Sequence, residues 1–138
     1  MNYVERDTLG MYARSKDHAG PGPALMGADT LLDTDVCNTQ GESLGDIKEI
    51  MLDMRTGKLA YAVLSFGGVL GMGEKLFAVP WHALTLDTQH KRFLLDIAQK
   101  RLKNAPGFNK DRWPDMAEQT WASTIHDFYK TEIPVTGA

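Results

Sequence analysis

The segment Gly67-Gly68-Val69-Leu70-Gly71-Met72-Gly73 is where a phosphate site would be sought first, because closely spaced glycines let backbone N–H groups converge on an anion. A P-loop, however, needs Gly-Lys-Ser/Thr opening a helix. Here Glu74 follows Gly73 and a strand-like run follows Glu74, so neither a P-loop nor a dinucleotide fingerprint fits. The glycines read instead as a long hairpin loop with Val69, Leu70 and Met72 on its tip. Apolar side chains on a protruding loop need cover, from the tail or from another subunit.

His18, His82, His90 and His126 show no i, i+4 or His-x-His spacing, and no His-Glu-x-x-His occurs. The single cysteine, Cys37, cannot build a multi-cysteine site or an internal disulfide. No metal and no cofactor is therefore expected. His18, His90 and His126 read as solvated, and His82, after the Pro80-Trp81 bend, as partly buried and hydrogen-bonded. Ser43 and Ser65 lack a G-x-S-x-G elbow. Cys37, at a strand end before a turn, reads as an inert thiol, buried or half-buried. Asp33, Asp35, Asp46 and Glu49 are scattered over strand faces and turns. No catalytic residue is nominated, and the chain reads as a non-enzyme.

Lys100, Arg101, Lys103, Lys110 and Arg112 adjoin Phe108 and Trp113, with Asp111 the only acid between residues 98 and 112. Bases interleaved with aromatics can bind single-stranded nucleic acid. They can equally cover a helix end while the rings pack on the core, with Arg112 stacking on Trp113. The net charge of −3 favours packing, because nucleic-acid-binding domains usually carry a basic excess. An RNA- or ribosome-assembly role through this stretch is the weaker alternative.

The elements that must position these residues follow from punctuation and period. The length of 138 residues suits one domain, and 43% apolar with 24% charged residues is ordinary for a folded chain. No stretch approaches the roughly 20 apolar residues that span a bilayer. The first 20 residues lack the apolar core of a secretory signal. With one cysteine, this predicts a cytoplasmic protein without membrane insertion. Residues 1–23 have no sustained period, end in Gly20-Pro21-Gly22-Pro23, and read as a flexible arm.

Residues 24–97 read as short strands between turns. Asn38-Thr39-Gln40-Gly41 is a turn. From Leu44 to Met54 the alternation changes phase, and a bulge near Lys48-Glu49 would bring Ile47, Ile50 and Leu52 to one face. Gly57 is the residue expected at positive φ in the next hairpin. Leu59–Phe66 is apolar at nearly every position, so both faces should be covered. Lys75–Val79 is a strand closed by Pro80; Trp81–Leu86 continues extended after a bend; Phe93, Leu95 and Ile97 share a face. Leu44, Ile47, Ile50, Leu52, Val63, Val79, Phe93 and Leu95 are the expected core. The fold class is mainly β, a small closed antiparallel barrel of about six strands. Residues 98–138 form a helical, aromatic extension: a short helix over 98–105 stopped by Pro106-Gly107, and a second from Asp115, with Asp115 as cap and Glu118 completing a capping box.

Residues Asn38–Ile47 (NTQGESLGDI), Asp53–Lys58 (DMRTGK), Ala60–Gly73 (AYAVLSFGGVLGMG) and Phe77–Trp81 (FAVPW), in that order, resemble the PRC-barrel family over residues 24–97. The tail from Ala105 to Trp121 looks like the extension of stand-alone bacterial members. The resemblance implies a small β-barrel used as an adaptor, as in the cytoplasmic domain of the photosynthetic reaction-centre H subunit and the C-terminal domain of a ribosome maturation factor. It brings no catalytic motif, and the transmembrane helix of the first and the RNA-processing domain of the second have no counterpart in this sequence.

The function expected is thus non-enzymatic protein–protein interaction, with self-association into a homodimer or higher oligomer. The outer face of 59–66 needs a lid, and a chain of this size buries only about two-thirds of its unfolded surface. The candidate interaction residues are Val69, Leu70, Met72, Phe108, Trp113 and Trp121.

Overall fold

The computed structural model describes residues 26–66 and 75–130, so the arm over 1–23 and the loop residues Val69, Leu70 and Met72 lie outside the described residues. The centre of the fold is a hairpin of β2 (Ser43–Asp53) and β3 (Lys58–Phe66). Asp53 closes its turn: the Asp53 carbonyl accepts from the Thr56 and Gly57 N–H groups at 3.2 and 2.7 Å, and its carboxylate accepts from the Arg55 backbone N–H at 2.9 Å. Gly57 takes φ 78°, as the turn requires.

The bulge in β2 is where the alternation placed it. Ile47 faces Leu64, but the next pair is Glu49 with Val63, which leaves Lys48 as the inserted residue. Ile47 and Ile50 consequently share the core face and are 0% and 7% exposed. Leu52 departs from expectation. A second irregularity lies between Met51 and Leu52, where Ala60 is passed over on β3. Leu52 then pairs with Leu59 at the far end of the hairpin, beyond the cover of the core, and is 49% exposed. At the other end, Gly45 (φ 100°) lies so close to β3 that an added Cβ would sit 2.1 Å from the Ser65 carbonyl oxygen.

Seven strands pair in the order β5-β6-β1-β2-β3-β4-β7. The others are β1 (Asp35–Cys37), β4 (Lys75–Pro80), β5 (Leu84–Asp87), β6 (Arg92–Leu95) and the two-residue β7 (Phe108–Asn109). Two features differ from a closed antiparallel barrel of six strands. The ladder runs from β5 to β7 without closing among the described residues. The joint between β1 and β6 is parallel, Val36 beside Phe93; a parallel pair needs a long crossover, and β2 to β5 supply it. The sheet still wraps one core, in which Val36, Leu44, Ile47, Ile50, Leu64, Val79, Phe93 and Leu95 meet.

After Pro80 the chain does not stay extended. A 3₁₀ turn, Trp81–Ala83, intervenes before β5, because Pro80 cannot continue the ladder. The turn sets the Trp81 ring edge-on to Phe93, 5.7 Å away, and leaves His82 exposed where it was expected half-buried. The turn after β1 is organised by Asn38, which is 0% exposed. Its Oδ1 accepts from the Gln40 and Glu42 N–H groups at 3.0 and 2.9 Å, and its Nδ2 donates to the Glu42 carboxylate at 2.6 Å and to the Ile97 carbonyl at 3.1 Å.

Beside the short α1 (Ala28–Leu31), two helices follow β6, one on each side of β7 in the chain. α2 (Gln99–Lys103) buries Leu102 in the core with Ala105 just beyond it. α3 (Gln119–Tyr129) starts three residues later than a cap at Asp115 implies. Asp115 instead makes a separate turn, accepting from Ala117 N–H at 3.0 Å. Glu118 is itself the N-cap, its carboxylate accepting from the Thr120 and Trp121 N–H groups. Among the described residues, no helix is long and apolar enough to cross a membrane.

Candidate interaction surface

β3 is buried at four successive residues, Tyr61 to Leu64. Ala62 and Leu64 belong to the main core. Tyr61 belongs to a second cluster, with Ala78 of β4 and Ile125 of α3. Val63 lies on this outer side too, opposite Glu49 and Ala78. It is 0% exposed, but on the face opposite to the one expected. The lid that the sequence demanded is therefore α3 of the same chain.

α3 can cover that face because Ala122, Ile125, His126 and Tyr129 recur at i, i+3, i+4 and i+7, a single stripe. Trp121 lies edge-to-face on Tyr61 at 5.2 Å. His126 corrects the solvated reading: it is 4% exposed, and its Nε2 lies 3.2 Å from the Tyr61 hydroxyl. Burial, with the charge of Asp53, pushes the Tyr61 phenol above its ordinary value. The helical spacing from Ala122 was the signal that His126 faces inward.

Phe108, Trp113 and Trp121 do not form one surface. Phe108, in β7, pairs with Leu76 and is half-buried. Trp121 is half-buried in the lid. Trp113 stands outside, 43% exposed. Its ring lies 5.0 Å from Phe108, and its Nε1 donates to the Lys110 carbonyl at 3.1 Å. Two further apolar side chains are exposed, Leu52, which was expected in the core, and Met54, 87% exposed at the hairpin turn. An apolar residue inside the turn Asp53–Lys58 was the available signal.

The basic stretch is divided. Arg101 leans on α3, its guanidinium 4.5 Å from the Phe128 ring centre, and donates to the Phe128 carbonyl at 2.7 Å. Lys100, Lys103, Lys110 and Arg112 are exposed, the first two on or beside α2 and the last two around the tail turn. Glu42, held below its ordinary value by the amide of Asn38 and the N–H of Gln99, also lies within reach of the charge of Lys103. Cys37 is half-buried, one of the two placements expected.

A protein-family model, PRC-barrel domain, matches residues 24–102. The chain belongs to the PRC-barrel domain family. The match spans the six longer strands and α2, and ends before β7 and the α3 lid. No curated protein matches the chain closely enough to count as a relative.

Proposed function

We propose that this PRC-barrel protein is a non-enzymatic protein–protein interaction module that associates with itself. The observation that carries the reading is Trp113: a 43% exposed indole, backed by Phe108, beside the sheet-edge strand β7. Indole rings with a polar handle are enriched among residues that dominate interfaces. The outer face of β3 is occupied by α3, so the tail aromatics outside the lid carry the interface in this reading. The lone Cys37 suits a reducing, cytoplasmic setting. Nucleic acid is the weaker reading, since Arg101 is engaged with Phe128 and the net charge is −3.

Sedimentation of the wild type against Trp113→Glu tests this. An oligomer at micromolar concentration that the substitution dissociates is the expected result. A wild-type monomer at high micromolar concentration refutes self-association. An oligomer indifferent to the change refutes the tail interface, and Leu70→Glu with Met72→Glu then tests the loop.

A further inference from the structure

A cleft of about 620 Å³ opens where the end of β6, the start of α2 and the last turn of α3 meet. Ligand pockets commonly span roughly 300–1,000 Å³. The lining is apolar at Ala83, Leu95, Ile97, Ala98 and Phe128. Leu95 and Ile97, 3% and 8% exposed, form the floor, and Phe128 is half-buried beside them. The charged lining residues, Asp96, Arg101 and Lys130, are all exposed and stand at the rim. Apolar surface below and charge only at the mouth suit an apolar side chain better than a polar ligand.

The chain itself brings such side chains to the rim. Lys130 is both a lining residue and the last described residue. It takes φ 57° and ψ 45°, and its N–H donates to the His126 and Asp127 carbonyls, so α3 ends there and the backbone changes course. The next residues in the sequence are Thr131-Glu132-Ile133-Pro134-Val135-Thr136-Gly137-Ala138. Pro134 cannot sit inside a helix, and it biases Ile133 towards extended backbone. In an extended segment Ile133 and Val135 share one side, and Glu132 points to the other. Ile133 is three residues beyond Lys130, a reach of roughly 10 Å. Tethered at the rim, its side chain enters the cleft with little loop-closure cost and at a high effective concentration.

We propose that residues 131–138 fold back onto their own chain and seat Ile133 and Val135 in this cleft, against Leu95, Ile97 and Phe128. Charge agrees with that occupant. The rim carries two cations and one acid, and Glu132 is the segment's one charged side chain. An exposed rim contact of this kind guides the segment and adds little affinity. The segment acts as a strap that ties the end of α3 to β6 and α2, and an apolar peptide of another protein reaches the cleft only by displacing it.

NOE spectra of the full chain with isotope-labelled methyl groups test this. NOEs from the Ile133 and Val135 methyl groups to the Phe128 ring and to the Leu95 and Ile97 methyl groups are expected. Ile133→Ser with Val135→Ser should abolish them and shift the backbone amides of Ile97, Ala98 and Phe128, whereas Ile133→Val should retain them. A mixture of labelled and unlabelled chains shows which chain is bound. NOEs confined to one chain support the proposal; NOEs between chains overturn it in favour of an exchange between two copies. Ile133 and Val135 methyl groups with contacts elsewhere or with none, or cleft amides that the double serine variant leaves unmoved, would overturn it as well.

Discussion

Replacing Asn38 by alanine should cost about 3–6 kcal/mol of stability. The side chain is 0% exposed and makes four hydrogen bonds. They are not equivalent. The Gln40 and Glu42 N–H groups lie in a turn that water can reach, so losing Oδ1 costs each about 0.5–1 kcal/mol. The Ile97 carbonyl accepts in a buried site, and leaving it unpaired costs about 1–3 kcal/mol. The vacated amide volume adds on the order of 1 kcal/mol. Urea denaturation at pH 7 measures the sum, and a loss below about 0.5 kcal/mol would refute the reasoning. The same residue sets a pH signature. Asn38, with Gln99, holds the Glu42 carboxyl below its ordinary value. A carboxylate depressed in the folded state contributes stability that is present above its unfolded pKa and lost as pH falls through the folded one. NMR titration should find the Glu42 carboxyl titrating higher in Asn38→Ala, and the acid-side loss of stability should shrink. An unmoved Glu42 titration would separate the two residues.

Ile50→Ala should cost about 2–5 kcal/mol and Leu52→Ala less than about 1 kcal/mol, because Ile50 is 7% and Leu52 49% exposed; equal losses in denaturation would contradict the second irregularity in the hairpin. Gly45→Ala combines a positive φ with a Cβ 2.1 Å from the Ser65 oxygen and should cost about 2 kcal/mol or more, read from the thermal midpoint. At alkaline pH, the Tyr129 phenol is raised above its ordinary value of 10.0 by burial. The folded state therefore holds its proton longer than the unfolded state, so stability is full below that value and falls as pH rises beyond it. Tyr129→Phe should flatten that fall, and at pH 7 it should cost under about 0.5 kcal/mol or stabilise, since the hydroxyl has no partner to lose.

Local periods carried much of the fold. The phase change across Lys48 located a real bulge, and the continuous apolar run from Leu59 announced a strand covered on both faces. Which element supplies the cover was harder to read. The stripe Ala122, Ile125, His126 and Tyr129 is visible at helical spacing, but a histidine within it reads as polar until the face is known. Leu52 kept the right pairing side and failed only because the strand outruns its cover. The parallel β1–β6 joint left no local trace, since Val36 and Phe93 meet by topology alone.

The lid is also the last described element to be made. During synthesis, β1 to β6 are complete at Leu95, whereas α3 ends at Tyr129. At about 5–20 residues per second, the intervening stretch takes about 2–7 s. Throughout that interval Tyr61 and Ala78, which end up under Ile125, have no helix above them. A nascent chain, or one cut before Gln119, therefore carries a bare apolar strip along adjacent strands of an open sheet, the surface on which chains pair wrongly. The danger falls on the ribosome-bound and truncated forms, and the finished chain escapes it when Glu118 caps α3 and the helix settles onto β3.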